Sequence, residues 1–221
     1  MVTIPDYLLV ILGILLPVFL MITASFVLGW RSKQTNIAGL SAITCTLLDL
    51  HSIMCVFLIA YGGTRFFTDF IKYYVGYLRP NFYTMCQYST DSMTCESNDE
   101  HLINSARRSF PSGHASVSFC GMMCLGLSLS GKVGIHHGLQ PKGAATTHSI
   151  TTTTTNTTSS SSGTYEFLYK KIGFLLSFGL PMFLSTFIAA SRVHDNWHHP
   201  ADIVAGSLIG GTCACIAYHL W

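Results

Sequence analysis

The 22 residues Tyr7–Leu28 contain no charged side chain. A stretch of that length and character is what a helix needs to cross the hydrocarbon of a bilayer. There every backbone N–H and C=O must be paired within its own segment, so a chain built from such runs folds as a membrane helical bundle or a closed barrel. It is too long for a signal peptide, lacks a basic leader and shows no small-residue cleavage site. The whole chain agrees: 49% of its residues are hydrophobic and 10% charged, where a soluble domain carries about a quarter charged. Mean hydropathy is +0.43.

Further runs read as spans over Ile53–Ile71, Ala115–Val133, Ile172–Ala190 and Ile203–Trp221. The expected fold is therefore all-α, a multi-pass transmembrane helical bundle of five visible spans in one domain over residues 1–221. Gly121, Gly126, Gly206, Gly210 and Gly211 suit close helix approach in a bilayer. In the second span Arg65 and Asp69 stand four apart on one helical face. They can pair inside the bundle, or the charged end can lie at the interface. A Thr/Ser-rich insert at about 143–164 cannot bury a core and reads as a disordered linker.

Arg31 and Lys33 follow span one, and Lys132, Lys142, Lys170 and Lys171 flank the loop between spans three and four. The positive-inside rule makes both loops cytoplasmic. The polar segments 72–114 and 191–202 then share the lumenal or extracellular face, and the Asn156 sequon should stay unglycosylated. Cys86 and Cys95, in the first of these segments, are positioned to form a disulfide in an oxidising compartment. The other six cysteines lie in or beside apolar runs as packing residues. A net charge of +2 gives no argument for a nucleic-acid partner.

Three clusters on the external face carry the chemistry. In "KYYVGYLRP", Lys72 and Arg79 are two helical turns apart, on one face if the helix continues until Pro80 stops it. Alone they also fit a membrane-edge anchor. In "RRSFPSGHAS", Ser112 and Gly113 stand at a helix start, where free N–H groups and the helix dipole seat anions, with His114 at the rim. Alone this is also an ordinary capping turn. In "SRVHDNWHHPAD", Arg192 offers a planar fork for phosphate oxygens. His198 and Asp202 are four apart, so a helical turn brings carboxylate to imidazole and leaves the other ring nitrogen free to attack or take a proton. A metal site built from His194, His198, His199 and Asp202 is the rival, but the surrounding cations oppose a metal and no HExxH pattern is present. Together the clusters ask for a tetrahedral dianion to be held, attacked and protonated.

Lys72-x6-Arg79-Pro80, Pro111-Ser112-Gly113-His114 and Ser191-Arg192-x5-His198-x3-Asp202 resemble the tripartite signature of the type 2 phosphatidic acid phosphatase superfamily, in order, spacing and membrane setting. "DNWHHPAD" and "KYYVGYLRPNF" look most like its eukaryotic lipid phosphate phosphatases. The resemblance implies hydrolysis of phosphomonoesters of phosphatidic acid and related lipid phosphates through a phosphohistidine, with no metal or other cofactor. It implies that Lys72, Arg79 and Arg192 hold the phosphate, helped by Ser112 and Gly113. His198 would attack, Asp202 would orient it, and His114 would protonate the leaving alkoxide. A silent lipid-binding or scaffold relative would be expected to lose His198 or His114, and both are present. A phosphatase for a soluble sugar phosphate or polyprenyl diphosphate is the other alternative. The superfamily's lipid phosphatase members usually have six spans where five are read here; span one looks like their second, which implies that an N-terminal helix is missing and that the chain stops at Trp221 within or just after the last helix.

Overall fold

A computed structural model of the protein describes residues 3–31, 42–132, 168 and 171–221. The Thr/Ser-rich insert and the Asn156 sequon lie outside the described residues. Helix α1 covers Asp6–Val27, α2 Ala42–Val75, α5 Gly113–Lys132, α6 Lys171–His194 and α7 Pro200–Leu220. Between α2 and α5 lie the short helices α3 (Phe82–Cys86) and α4 (Glu100–Ala106) and a hairpin of β1 (Tyr88–Ser89) with β2 (Thr94–Cys95). The protein is an all-α, multi-pass membrane bundle, with this hairpin the only sheet among the described residues.

Helices α1, α2, α6 and α7 are long and apolar enough to cross a membrane. The fifth expected span, α5, falls outside that class because four serines, four glycines, His114 and Lys132 dilute its apolar residues, and it packs against all four of the others. Twelve of its 20 residues are buried, so protein rather than lipid faces most of it. A helix in that position can carry serines: Ser118 and Ser130 each donate to the carbonyl four residues back, both at 2.7 Å. The outer helices instead turn Phe66, Phe70, Phe183 and Leu208 outward, as lipid contact requires. The buried core gathers Met21, Phe57, Ala60, Cys120, Met122, Leu125 and Ala214 around α5.

Two expected boundaries shift. Helix α2 is 34 residues long, extending well ahead of Ile53 because "AITCTLLDLHS" continues the helical run. Its other end is at Val75, because Gly76 adopts φ +60°, a left-handed turn that glycine takes without a Cβ penalty. Lys72 and Arg79 are thus not on one helical face. Lys72 lies in the last turn of α2 and Arg79 in the loop beyond, whose backbone is pinned by Arg79 N–H to the Ala106 carbonyl (2.9 Å) and Ser109 N–H to the Tyr77 carbonyl (2.7 Å). Cys86 and Cys95 are disulfide-bonded, with Cα atoms 5.1 Å apart, closing the hairpin onto α3. Arg65 and Asp69 form an ion pair of 2.9 Å, with both side chains partly exposed.

The most extensive packing is between α5 and α7. A Cβ on Gly206 would stand 2.5 Å from the Ser112 carbonyl oxygen, and one on Gly210 would overlap the Ser116 carbonyl. These two glycines let the start of α7, which carries Asp202, lie directly against the start of α5, which carries His114.

Candidate active site

The end of α6 and the start of α7 frame the site. After His194 the chain reverses through Asn196, whose φ of +58° a short polar side chain tolerates. The turn brings both Trp197 N–H (3.0 Å) and His198 N–H (3.3 Å) onto the Arg192 carbonyl. His198 is therefore fixed above the last turn of α6, only 3% exposed. Pro200 opens α7, where a missing N–H costs nothing.

Asp202 is fully buried and connects three segments. Its Oδ2 lies 3.4 Å from His198 Nδ1, accepts from the His199 N–H at 2.9 Å, and accepts from Ser109 Oγ at 2.5 Å. Ser109 Oγ is itself 3.4 Å from His198 Nδ1. With Nδ1 facing the carboxylate, Nε2 is the nitrogen left for chemistry. His199 takes a supporting place, its Nε2 lying 3.2 Å from the Leu78 carbonyl and its ring 5.0 Å from that of Tyr77. It joins α7 to the loop that carries Arg79. His194 is solvent-facing beside Asp195.

Lys72, Arg79, Gly113, His114, Arg192 and His198 all line one cavity of about 470 Å³. The arginines are held by a residue that the sequence reading passed over: Trp197 lies under both guanidinium groups, 4.8 Å from Arg79 and 5.4 Å from Arg192. A cation–π contact with one indole helps hold each of these two like charges in place. Lys72 Nζ would be 3.7 Å from a Cβ on Gly113, which leaves the start of α5 open beside the ammonium group. Ser112 is the exception. It is fully buried, is not among the lining residues, gives its N–H to the Asp202 carbonyl (3.0 Å), and caps Ala115 N–H through Oγ (3.5 Å). It ties α5 to α7.

Three buried nitrogens around this cavity, Arg79 Nε, Arg192 Nε and His114 Nε2, have no hydrogen-bond partner among the described residues. Arg192 spends one Nη1 donor on the Ile4 carbonyl at 2.8 Å. Asp6 Oδ1 stands 3.3 Å from His114 Nε2, without hydrogen-bond alignment. Buried donors without partners are costly, and a ligand rich in acceptor oxygens would satisfy all three.

The electrostatics match. Burial, then the neighbouring Arg192, lowers the Arg79 pKa to about 10, which leaves it charged at neutral pH. Burial also lowers the pKa of His198 below the ordinary imidazole value, against the opposing pull of its bond to Asp202, with Arg79 and Lys72 adding to the decrease. His114, which precedes the apolar run of α5, is brought to about 3 by burial and then by the neighbouring Arg192, His198, Lys72 and Arg79. Both imidazoles are thus neutral in the unliganded site. Among the described residues, no three His, Cys, Asp or Glu side chains are grouped to hold a metal ion.

No signal in the sequence singled out Ser109, Trp197 or Asp6. Ser109 sits in the quoted second cluster and Trp197 in the third, but their roles depend on a fold that brings separate segments together.

The chain is 29% identical to lipid phosphate phosphatase 2 of Arabidopsis thaliana over 77% of its length and 51% of that protein's. It is 29% identical to diacylglycerol pyrophosphate phosphatase 1 of Saccharomyces cerevisiae, over 72% and 48% respectively. Phospholipid phosphatase 1 of Rattus norvegicus is 25% identical over 77% and 52%. The chain spans about half the length of these curated relatives. No solved structure matches it. The PAP2 superfamily model matches residues 53–221, a stretch that begins within α2 and takes in all three basic and histidine clusters, and on that match the chain belongs to the PAP2 superfamily.

Proposed function

We propose that the protein is a lipid phosphate phosphatase that hydrolyses phosphomonoesters of phosphatidic acid and related lipid phosphates through a phosphohistidine. One observation carries the reading: three side chains with partnerless buried nitrogens, from a loop, from α5 and from α6, line one cavity together with the Asp202-bound His198. Lys72, Arg79 and Arg192, with the backbone at Gly113, bind the phosphoryl oxygens and neutralise the charge that builds on them. The Nε2 lone pair of His198 attacks phosphorus in line, and the P–O bond to the lipid breaks. His114 gives its proton to the departing alkoxide, and Asp202 stabilises the imidazolium formed at His198. Water then attacks phosphorus, losing its proton to His114; the P–N bond breaks with its electron pair returning to Nε2 of His198, and inorganic phosphate leaves. Three fixed cations supply the charge stabilisation that this step requires, so turnover should not depend on a divalent ion.

The apolar part of the lining supports a lipid substrate. Leu9, Val10, Ile14 and Val117 line the cavity beside the cations, which suits glycerol and acyl atoms better than a sugar. The names of the relatives point the same way. The Cys86–Cys95 bond and the basic flank at Lys132 and Lys171 support a lumenal or extracellular site.

Phosphate release from phosphatidic acid, lysophosphatidic acid, a sphingoid-base phosphate, a polyprenyl diphosphate and glucose 6-phosphate, measured in mixed micelles, tests the proposal. Lipid phosphates should exceed the sugar phosphate in kcat/KM by about a hundredfold or more, the scale of about 3 kcal/mol of differential binding. Equal or greater turnover of the sugar phosphate would contradict a lipid substrate.

A further inference from the structure

Arg65 takes no part in the chemistry above, yet it lines the same cavity as His198 and Lys72. It lies in a membrane span, where a charged side chain is expensive and marks a functional surface by default. Tyr61, Arg65 and Lys72 recur at intervals of four and seven, which sets them on one face of α2, and all three line the cavity. Seven residues of helix put Arg65 about 10 Å deeper than Lys72 along the axis. Val10 and Ile14 of α1 and Val117 of α5 line the same cavity. Arg65 pairs through Nη2 with Asp69 Oδ2 at 2.9 Å. A guanidinium carries five N–H donors in a fixed plane, so others remain to face the cavity.

We infer that Arg65 is a specificity-determining residue that selects ester-linked glycerolipid phosphates over sphingoid-base phosphates. The inference rests on the lipid-phosphatase reading. With phosphate at Lys72, Arg79 and Arg192, the part of a lipid that reaches Arg65 is the backbone a few bonds below the phosphate. In phosphatidic acid that backbone carries ester carbonyls, which accept hydrogen bonds from a guanidinium. In a sphingoid-base phosphate it carries an ammonium group, which donates and is repelled by a second cation in a low-dielectric cavity. Specificity follows from attraction to one class and repulsion of the other. Asp69, set beside the guanidinium, tempers the repulsion without removing it.

The test compares kcat/KM for phosphatidic acid and sphingosine phosphate at equal surface concentration in the same micelles. The wild-type protein should prefer phosphatidic acid. Arg65→Gln should lower the ratio about tenfold, and Arg65→Glu should lower it further or invert it, as expected for removing and then reversing one charge contact. Arg65→Lys, which keeps the charge, should hold the ratio closer to wild type than Arg65→Gln does. Asp69→Asn should raise the ratio, because it removes the countercharge and leaves the guanidinium, and it decides the matter if the Arg65 variants do not fold. Equal loss on both substrates in the Arg65 variants, or a ratio that Asp69→Asn leaves unchanged, would overturn the assignment. Absence of wild-type turnover on every lipid phosphate would instead defeat the reading on which it rests.

Discussion

Two arginines share the face of Trp197 (4.8 and 5.4 Å) while two neutral histidines stand beside them. That arrangement has a consequence for protons. His114 is depressed to about 3, first by burial and then by four neighbouring side chains, three of them fixed cations. In the proposed mechanism His114 is the general acid and must be protonated, and a bound phosphate dianion would offset those cations and raise the pKa of the ring. The protein should therefore take up close to one proton per site near pH 7, counted after subtracting the proton the ligand itself releases on binding as a dianion, because the liganded pKa lies above the free one. Calorimetry of vanadate or inorganic phosphate binding, in buffers of different ionisation enthalpy, measures it directly. His114→Ala should abolish most of the uptake, and a value near zero in the wild-type protein would contradict the proton's arrival with the ligand. The residues of this chemistry were legible in the sequence because their spacing is local: His198 and Asp202 meet across one helical turn. Ser109 was not, because it reaches Asp202 across 93 positions, and spacing carries no information at that range. Ser112 was legible as a helix start, but its buried N–H, taken by the Asp202 carbonyl, could be known only from the packing.

Elements were legible where lipid writes them. Helices α1, α6 and α7 coincide closely with the uncharged runs, since a bilayer demands apolar length. The end of α2 was misplaced because Gly76, not Pro80, terminates it, and both are breakers within one short stretch. The short elements α3, α4 and the hairpin carry too few residues for periodicity to register. Helix α5 shows the opposite case, a central helix whose polarity records protein neighbours instead of lipid. Its contact with α7 through Gly206 and Gly210 sets the distance between His114 and the His198–Asp202 pair. Gly210→Val would drive side-chain carbons into the Ser116 carbonyl, and overpacking of this kind costs about 1–3 kcal/mol or more. Thermal unfolding in detergent should show a clear loss of Tm, and turnover should fall more than the folded fraction does. An unchanged Tm together with unchanged turnover would refute the close contact between the helices.

At the scale of the whole molecule, five helices bring three distant segments to one end of a bundle and leave a cleft lined both by their charged groups and by Leu9, Val10, Ile14 and Val117. A soluble phosphatase has no need of such a cleft, whereas an enzyme working on lipid must draw a headgroup to its cations while the tails stay in the bilayer. Which helix would occupy the centre was not legible, because every run is apolar and the pairing of helices depends on small-residue faces that several of them share. The account as a whole depends on the covalent step at His198. Rapid quench with ³²P-labelled phosphatidic acid, in the presence of EDTA, should trap label on the protein that is acid-labile and base-stable, and His198→Ala should abolish both that label and turnover. Undiminished labelling in His198→Ala, or turnover lost to EDTA and restored by a divalent ion, would contradict it.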